Sequence, residues 1–395
     1  MPDLWTQIMQ RAVELRRDLH TYPELGWHEH RTAEVIRQEL TRLEIPWRTC
    51  ATFGTLATLE GGQPGEHIAL RADMDALALD EPAGKAYCSV NDGVMHACGH
   101  DGHTATLLAT AAWLKHHQSN ICGTVTFLFQ PAEEGGHGAA KMIEDGALTG
   151  IDKIYGWHNW PAIPFGEIAC PDGIVMSGNG TFDVTVSGTG GHASQPEILR
   201  DPILAACTMR VALQQIISQN LAPQSAAVVA VTWFDASSNP TTVPDVAKFG
   251  GSIRVPNNDT RTRLNQRIEA ICQGIAQASE VSCTVNVQGR YDATINHPAC
   301  AAAARKTWQS LFGDAEQRTV AMPLMASEDF SYYLQHIPGA FALIGADDGN
   351  EHHHPCHNTQ YDFNDKLIAL VTRYFCALVG VMTPDTISEN LRESP

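Results

Sequence analysis

Three almost continuously apolar segments in the first half of the chain constrain its fold more than any other sequence feature. They span residues 67–75, 123–131 and 153–160, and a helix is predicted between the first two, from residue 103 to about residue 117. Strands that are apolar on both faces belong to sheets covered on both sides, and an intervening helix is typical of parallel neighbours. The pattern therefore predicts an α/β fold with a buried, mainly parallel central sheet.

The strand pattern changes near Gly178, and the change predicts a second domain. The strand that begins there alternates between apolar and polar side chains, as expected when one face is exposed. The predicted elements then follow the order βαββαβ, which is that of a ferredoxin-like split-βαβ sandwich. We predict that this domain, residues 179–291, is inserted into a discontinuous first domain made of residues 1–178 and 292–395.

Composition and charge argue against several classes of partner. The 395 residues include 26 Lys and Arg against 44 Asp and Glu, and the net charge of −18 opposes binding to nucleic acid or to an anionic membrane. No apolar run approaches the roughly 18 residues that span a bilayer. Residues 1–20 have the pattern of an amphipathic helix rather than a signal peptide. The eleven cysteines, odd in number and irregularly spaced, indicate reduced thiols, so we predict a cytoplasmic protein.

Side chains that commonly bind metals cluster at one edge of the predicted sheet. The segment HACGHDGH, residues 96–103, leads directly into the predicted helix. Open α/β sheets bind their ligands beyond the carboxyl ends of the strands, and this segment can lie at the same edge. The ligand-type residues at or just after the strand ends are Asp73, Asp75, Glu133, Glu134 and His158.

The adjacent pair Glu133–Glu134 and the Cys–His segment together favour a metal site. Two neighbouring carboxylates at a buried strand end repel each other unless a cation or hydrogen bonds compensate, although two solvated loop glutamates are the alternative. A lone cysteine or histidine is more often a core or surface residue, and the run His352–His354 is compatible with a solvated loop. Combined thiolate, imidazole and carboxylate ligands suit Mn²⁺, Zn²⁺, Co²⁺ or Ni²⁺ better than Ca²⁺ or Mg²⁺. One glutamate can then bind metal while the other acts as a general base.

Eight segments, in order and spread from about residue 10 to residue 380, resemble the M20 metallopeptidase family. The similarity is greatest to its amidohydrolase branch, which includes hippurate hydrolases, N-acyl-amino-acid deacylases and indole-acetyl-amino-acid hydrolases. Any single segment would be weak evidence, but eight in register are specific. The segments are RRDLHTYPELG (16–26), RADMDAL (71–77), HACGHDGHTA (96–105), PAEEGGHGA (131–139), GWHNWP (156–161), GTGGHASQP (188–196), ASEDFSYY (326–333) and HNTQYDFND (357–365).

The resemblance implies a zinc-peptidase-like catalytic domain that holds two divalent transition-metal ions per subunit. In that case Cys98 bridges the two ions, and Glu133 is the general base. Asp75 and Asp101 are expected to hold ligands in place through hydrogen bonds. The implied metal ligands are Cys98, His100 and His158 at one ion and Cys98, Glu134 and His357 at the other.

The resemblance also implies that the inserted domain is a lid and dimerisation domain. His192 would bind the substrate in the active site of the partner subunit of a homodimer, donating a hydrogen bond to the developing oxyanion. Arg254 matches a family arginine placed near the substrate, although a solvated charge at a strand end explains it nearly as well. In ASEDFSYY, Ser327 is predicted to cap a helix whose first turn holds Glu328 and Asp329.

We therefore expect a homodimeric, metal-dependent amidohydrolase whose substrate is a small N-acyl amino acid. It would hydrolyse the amide bond to a carboxylic acid and a free amino acid, using an activated water whose proton passes to Glu133. A metal-dependent dipeptidase and a carbamoyl-amino-acid hydrolase are alternatives within the family. Alternatives of another class are a metal-independent cysteine hydrolase using Cys98 with His100, and a non-catalytic binding protein.

Overall fold

Contacts within the chain divide it into two compact units. The computed structural model describes residues 2–313 and 320–385. The insertion predicted at residues 179–291 falls within the second unit, which also takes a short segment from later in the chain. The units are residues 1–175, 295–321 and 329–395 for the first, and residues 176–294 and 322–328 for the second.

The N-terminal helix and the helix predicted from residue 103 both lie close to their predicted positions. The N-terminal helix is capped by Asp3, whose carboxylate accepts the Thr6 N–H at 2.8 Å. The helix predicted from residue 103 begins three residues earlier, within the HACGHDGH segment. The helices are α1 (Leu4–Thr21), α2 (His30–Arg42), α3 (His100–His116), α4 (Gly138–Glu144), α5 (Pro202–Ala212), α6 (Asn258–Ala278), α7 (Pro298–Phe312), α8 (Ser331–Leu334) and α9 (Lys366–Leu378).

Most strands of the described residues belong to two sheets, one in each unit. The strands are β1 (Trp47–Cys50), β2 (Gly54–Glu60), β3 (Gln63–Asp73), β4 (Cys122–Gln130), β5 (Lys153–Pro164), β6 (Ile168–Ala169), β7 (Gly173–Met176), β8 (Gly178–Ser187), β9 (Gly191–His192), β10 (Val228–Asp235), β11 (Thr242–Val243), β12 (Val246–Val255), β13 (Ser282–Gly289), β14 (Thr294–Asn296) and β15 (Gly339–Asp347). The sheet of the first unit has the order β1-β2-β4-β3-β5-β15-β6, and that of the second has the order β10-β12-β8-β13.

The sheet of the first unit is mixed, so the expectation of a mainly parallel sheet is wrong at its edges. The central strands β4, β3, β5 and β15 run parallel to one another, in line with their apolar sequences. The outer strands β1, β2 and β6 pair antiparallel. Only the short turn of residues 51–53 joins β1 to β2, and a parallel pair needs a much longer crossover.

The start of α3 is fixed by a glycine. The helix begins at His100 after Gly99, whose φ of +92° lies in the region that favours glycine. A Cβ atom at Gly99 would lie only 2.4 Å from both the Asn159 side-chain oxygen and the Tyr361 hydroxyl, so a larger residue does not fit. Beyond this start, α3 is buried along nearly its whole length because α1 and α9 pack against it.

In the second unit the strands of the four-stranded sheet and the helices α5 and α6 follow the order βαββαβ, with the two-residue strands β9 and β11 paired separately between them. Strands β10, β12, β8 and β13 form an antiparallel sheet, against which α5 and α6 pack. Phe182, Val184 and Val186 of β8 are completely buried, and the residues between them are more exposed. One buried and one accessible face therefore explain the alternating pattern in this part of the sequence.

None of the helices within residues 2–313 and 320–385 has both the length and the apolar character needed to cross a bilayer. Even the deeply buried α3 carries Asp101 and Lys115. Its apolar surface is covered by other helices of the first unit.

Candidate metal centre

One group of potential metal ligands forms where α3 begins beside β5. The Sγ atom of Cys98 lies 3.3 Å from Nε2 of His158, which projects from β5. His100, the first residue of α3, completes the group. The ligand atoms of these three buried residues all lie within 4.8 Å of one another, a spacing compatible with one shared ion.

A second group shares Cys98 and adds residues from two loops. Glu134 follows β4, and its Oε1 lies 3.1 Å from Nε2 of His357. His357 has a φ of +68°, and its backbone N–H donates to the Ala97 carbonyl at 2.7 Å. Potential ligand atoms of Cys98, Glu134 and His357 again lie within 4.8 Å of one another. The structure thus brings together all five residues for which the sequence implies a metal-ligand role.

The hydrogen bonds of the histidines leave suitable nitrogens for a metal. Nδ1 of His100 lies 2.9 Å from the Asp75 carbonyl, and Nδ1 of His158 lies 2.7 Å from the Asn159 carbonyl. A carbonyl can only accept, so each Nδ1 carries a proton, and in the neutral imidazole each Nε2 has a lone pair that can bind a metal. Nε2 of His100 is buried without a hydrogen-bond partner in the described residues, which is costly unless a cation occupies the site. The residues therefore fit divalent transition-metal ions.

The charges around the first group also favour a cation. Burial disfavours the imidazolium form of His100, but the carboxylates of Asp73 and Asp75 outweigh it and raise its pKa to about 10. Burial and the neighbouring imidazole of His103 lower the pKa of His158 well below its usual value. His158 is thus held as the neutral imidazole that binds metals. The negative field at His100 attracts positive charge of any kind, a metal ion included.

Asp75 connects three residues of the site. Its Oδ1 accepts the backbone N–H of Glu133 at 3.0 Å, and its Oδ2 accepts that of Glu134 at 2.9 Å. Its Oδ1 also lies 3.2 Å from Nδ1 of His100. The carboxylate therefore holds a histidine and the two adjacent glutamates in one arrangement, as expected for a residue that supports ligands from behind.

Asp101 is expected to hold metal ligands in place, but its carboxylate contacts residues of α1 instead. Its carboxylate lies 2.8 Å from Nδ1 of His20 and 3.1 Å from Nε of Arg16, and all three side chains are buried. Because Arg16 and His20 belong to α1, Asp101 ties the first turn of α3 to that helix. The sequence neighbour of a ligand thus points away from the ligand group, as successive residues of a helix do.

Glu133 lies beside both groups. Its side chain is only 6% exposed, and together with His100 and Glu134 it forms a further cluster of potential ligand atoms within 4.8 Å of one another. Its Oε1 accepts the backbone N–H of Asp329 at 3.3 Å. A buried carboxylate next to the ligand set has the position required of a general base.

The two remaining predicted site residues lie in the second unit. His192 is exposed on β9, where it pairs with Thr242 of β11, and its Nδ1 lies 2.7 Å from Oγ of Ser194. Arg254 lies on β12 and donates from Nε to the Met325 carbonyl at 3.0 Å. Neither residue belongs to the ligand groups, all of whose predicted members lie in the first unit.

Sequence reasoning missed a buried polar chain behind the ligands. His103, the third histidine of HACGHDGH, has Nδ1 2.6 Å from Asp73 and Nε2 2.7 Å from the side-chain oxygen of Asn159. The Asn159 amide donates to the Tyr361 hydroxyl at 2.7 Å. This series of hydrogen bonds fixes the position of Asn159, the residue that follows His158. The sequence offers no separate signal for it, because these histidines and carboxylates resemble ligands in composition.

The helix start predicted at Ser327 is also wrong. The helix α8 begins at Ser331, and the Asp329 carboxylate is completely buried instead of solvated in a first turn. It accepts from Arg71 at 3.0 Å and from the Gln130 amide at 2.8 Å. Asp329 forms a buried ion pair with Arg71 of β3. Only the tertiary structure reveals this pairing.

Comparisons with known proteins agree with this fold. A family model described as Peptidase family M20/M25/M40 matches residues 69–380. Hippurate hydrolase of Campylobacter jejuni is 38% identical over 368 residues, covering 92% of this chain and 94% of its own. N-acetyl-L-cysteine deacetylase of Bacillus subtilis is also 38% identical, covering 88% and 83%.

A solved structure adds a match in three dimensions. The Bacillus subtilis YXEP protein, described as a dinuclear metal binding peptidase from the M20 family, superposes with a TM-score of 0.83 at 30% identity. The match covers 95% of this chain and 98% of that protein. Together with the relatives, it confirms the resemblance inferred from the eight sequence segments.

Proposed function

This chain belongs to peptidase family M20/M25/M40, as a hydrolase of its amidohydrolase branch, and we propose that it cleaves the amide bond of N-acyl amino acids. The observation that carries this proposal is the pair of ligand groups that share Cys98 beside the buried Glu133. The products are a carboxylic acid and a free amino acid.

Two divalent transition-metal ions would be held at the proposed centre. Cys98, His100 and His158 would hold one of them, and Cys98, Glu134 and His357 would hold the other. When bound, such ions supply Lewis-acid polarisation of the amide carbonyl and lower the pKa of a coordinated water. The combination of thiolate, imidazole and carboxylate donors suits Mn²⁺, Zn²⁺, Co²⁺ or Ni²⁺.

In the proposed mechanism Glu133 moves the proton. Its carboxylate takes a proton from the attacking water as the new C–O bond forms, and delivers that proton to the amine nitrogen as the C–N bond breaks. Asp75 supports this role because it fixes the backbone N–H groups of both Glu133 and Glu134. One glutamate then binds metal while its neighbour stays available as the base.

The substrate class is proposed from chemistry and from the relatives. Hippurate hydrolase and N-acetyl-L-cysteine deacetylase carry names that denote hydrolysis of N-acylated amino acids. A screen of N-acetyl and N-benzoyl amino acids against dipeptides and N-carbamoyl amino acids, each with added Mn²⁺, Zn²⁺, Co²⁺ or Ni²⁺, tests the proposal. We expect release of the free amino acid to be fastest from the N-acyl compounds. A kcat/KM about tenfold higher for dipeptides or carbamoyl compounds, roughly 1.4 kcal/mol of transition-state binding, contradicts it.

The second unit has the surface expected of a dimerisation domain, and we propose that the protein is a homodimer through it. Leu204 and Val211 on α5 are 67% and 66% exposed. β10 is an edge strand that also exposes Val228, Trp233 and Phe234. Unpaired edge strands and exposed apolar clusters are typical of surfaces that another chain covers.

All eleven cysteines are free, which supports the proposal of a reducing, cytoplasmic environment. Six of them are buried, and apart from the proposed ligand Cys98 their thiols contribute to packing as small apolar groups. The cytoplasmic assignment rests on this thiol chemistry.

A dimer of this kind allows His192 to act in the site of the partner subunit. We expect His192→Ala to fold, dimerise and bind metal but to lose about 10²–10³-fold in kcat, the typical effect of removing one oxyanion donor. His192 is exposed on a two-residue strand and has no core role that its loss would disturb. Mixing the inactive variants His192→Ala and Glu133→Gln tests its placement.

In a mixed dimer, one of the two sites would have both an intact Glu133 and an intact His192 of the partner subunit. Activity should return to about half that of a wild-type dimer, as two-fold symmetry predicts. Subunit exchange is monitored by native mass spectrometry with one variant isotopically labelled. Exchange without recovery of activity would show that His192 does not act across the dimer.

A further inference from the structure

Three consecutive backbone N–H groups after β4 all donate to carboxylates. Those of Glu133 and Glu134 donate to Asp75, and that of Ala132 donates to Oε1 of Glu29 at 2.7 Å. Ala132 has a φ of +52°, a left-handed conformation that an alanine adopts only when its surroundings impose it. The residue that enters the Glu133–Glu134 pair is therefore held in an unfavourable conformation by a side chain outside the described site.

Glu29 is completely buried, and its carboxylate contacts the backbone of Ala132. It stands just before α2. A residue close to Glu29 also contacts the loop after β4: the Trp27 indole N–H donates to the Gly136 carbonyl at 3.0 Å. Gly26 leaves room for the turn, since a Cβ atom there would lie 3.1 Å from the Ala132 Cα. The loop before α2 thus forms a support for residues 132–136.

We propose that Glu29 is a positioning residue that, through its hydrogen bond to Ala132, sets the arrangement of Glu133 and Glu134. For catalysis the inference rests on the proposed function, in which Glu133 is the base and Glu134 a metal ligand. Loss of the Glu29 acceptor releases Ala132 towards ordinary backbone conformations. Both glutamates then move relative to the remaining ligands, so metal retention and turnover fall together.

The surroundings of Glu29 indicate that a neutral acceptor is sufficient. Burial, together with the nearby Asp75, raises the pKa of Glu29 to about 8. Its other oxygen, Oε2, has no hydrogen-bond partner among the described residues. Glutamine can place its amide oxygen where Oε1 accepts from Ala132. Alanine removes the acceptor, and aspartate keeps the carboxyl group but withdraws it by one methylene.

The test compares Glu29→Gln, Glu29→Ala and Glu29→Asp in the full-length, manganese-loaded protein. We measure Mn²⁺ retained against a chelator, and hydrogen exchange by mass spectrometry in peptides that cover residues 130–135. Glu29→Ala and Glu29→Asp should lose metal about tenfold more readily, exchange faster in these peptides and lose about 10–100-fold in kcat, as for other residues that support metal ligands. Glu29→Gln should stay near wild type in metal retention, in hydrogen exchange and in kcat. If alanine prevents folding, aspartate carries the same test.

Glu39→Ala is a matched control. Glu39 is a buried carboxylate of α2 that pairs with Arg11 and Arg42 rather than with the loop after β4. Its removal should lower the melting temperature without changing metal retention or exchange in residues 130–135. The inference is overturned if folded Glu29→Ala or Glu29→Asp keeps wild-type exchange and metal retention, or if Glu29→Gln is as damaged as Glu29→Ala. If the wild type cleaves no N-acyl amino acid, the proposed function fails, while exchange and metal retention still decide the role of Glu29.

Discussion

Replacing Glu133 with glutamine should leave the protein folded and loaded with metal, yet lower kcat by about 10²–10⁴-fold, the range that general-base catalysis contributes. Glutamine has nearly the same size and shape and keeps an oxygen that can accept the Asp329 N–H. It cannot take a proton at neutral pH. Substrate affinity should change little, because the lost interaction develops only as the proton moves.

The neighbouring residue provides the matched control. Glu134→Gln makes the same chemical change one position later, where the side chain contacts His357 instead of Asp329. We expect it to lose metal, so that adding excess metal partly restores its turnover. Metal content by plasma mass spectrometry and steady-state kinetics on both variants separate the two roles. Equal loss of metal in both, with neither selectively inactive, contradicts the assignment of base and ligand.

The parallel centre of the fold could be predicted because its strands are apolar on both faces. β3 and β4 are buried near their carboxyl ends and β5 is buried from residue 154 to residue 159, and the sequence signal for these three strands is strong. The antiparallel edge could not be predicted in the same way. β1 is exposed at three of its four positions, so it lacks the apolar run that identifies a buried strand.

The candidate ligands could be placed because each stands at a recognisable point of a motif. Cys98 and His100 stand at the start of a helix, and Glu134 follows a strand at the same edge. Hydrogen-bond partners are different, because they depend on contacts between distant parts of the chain. Asp101 meets Arg16 across 85 positions of sequence, and Glu29 meets Ala132 across 103. No local pattern distinguishes such carboxylates from surface acids, so their roles appear only in the folded structure.

Metal removal should abolish hydrolysis. We expect this effect to be at least as large as that of replacing Glu133. Several side chains of the ligand groups are buried with donor atoms directed at one another, and Nε2 of His100 has no hydrogen-bond partner in the described residues. The protein groups alone supply a base but no Lewis acid for the carbonyl. Loss of the ions should therefore lower the rate by several orders of magnitude. A cysteine hydrolase using Cys98 would be indifferent to chelation and sensitive to thiol alkylation.

The most direct test measures metal content and amide hydrolysis on the same samples. Gently purified protein is analysed by plasma mass spectrometry, dialysed against a chelator, assayed on an N-acyl amino acid, and assayed again after Mn²⁺, Zn²⁺, Co²⁺ or Ni²⁺ is added back. The account predicts close to two transition-metal ions per chain, loss of activity with loss of metal, and recovery on reloading. Full activity in a sample verified to be metal-free would contradict it.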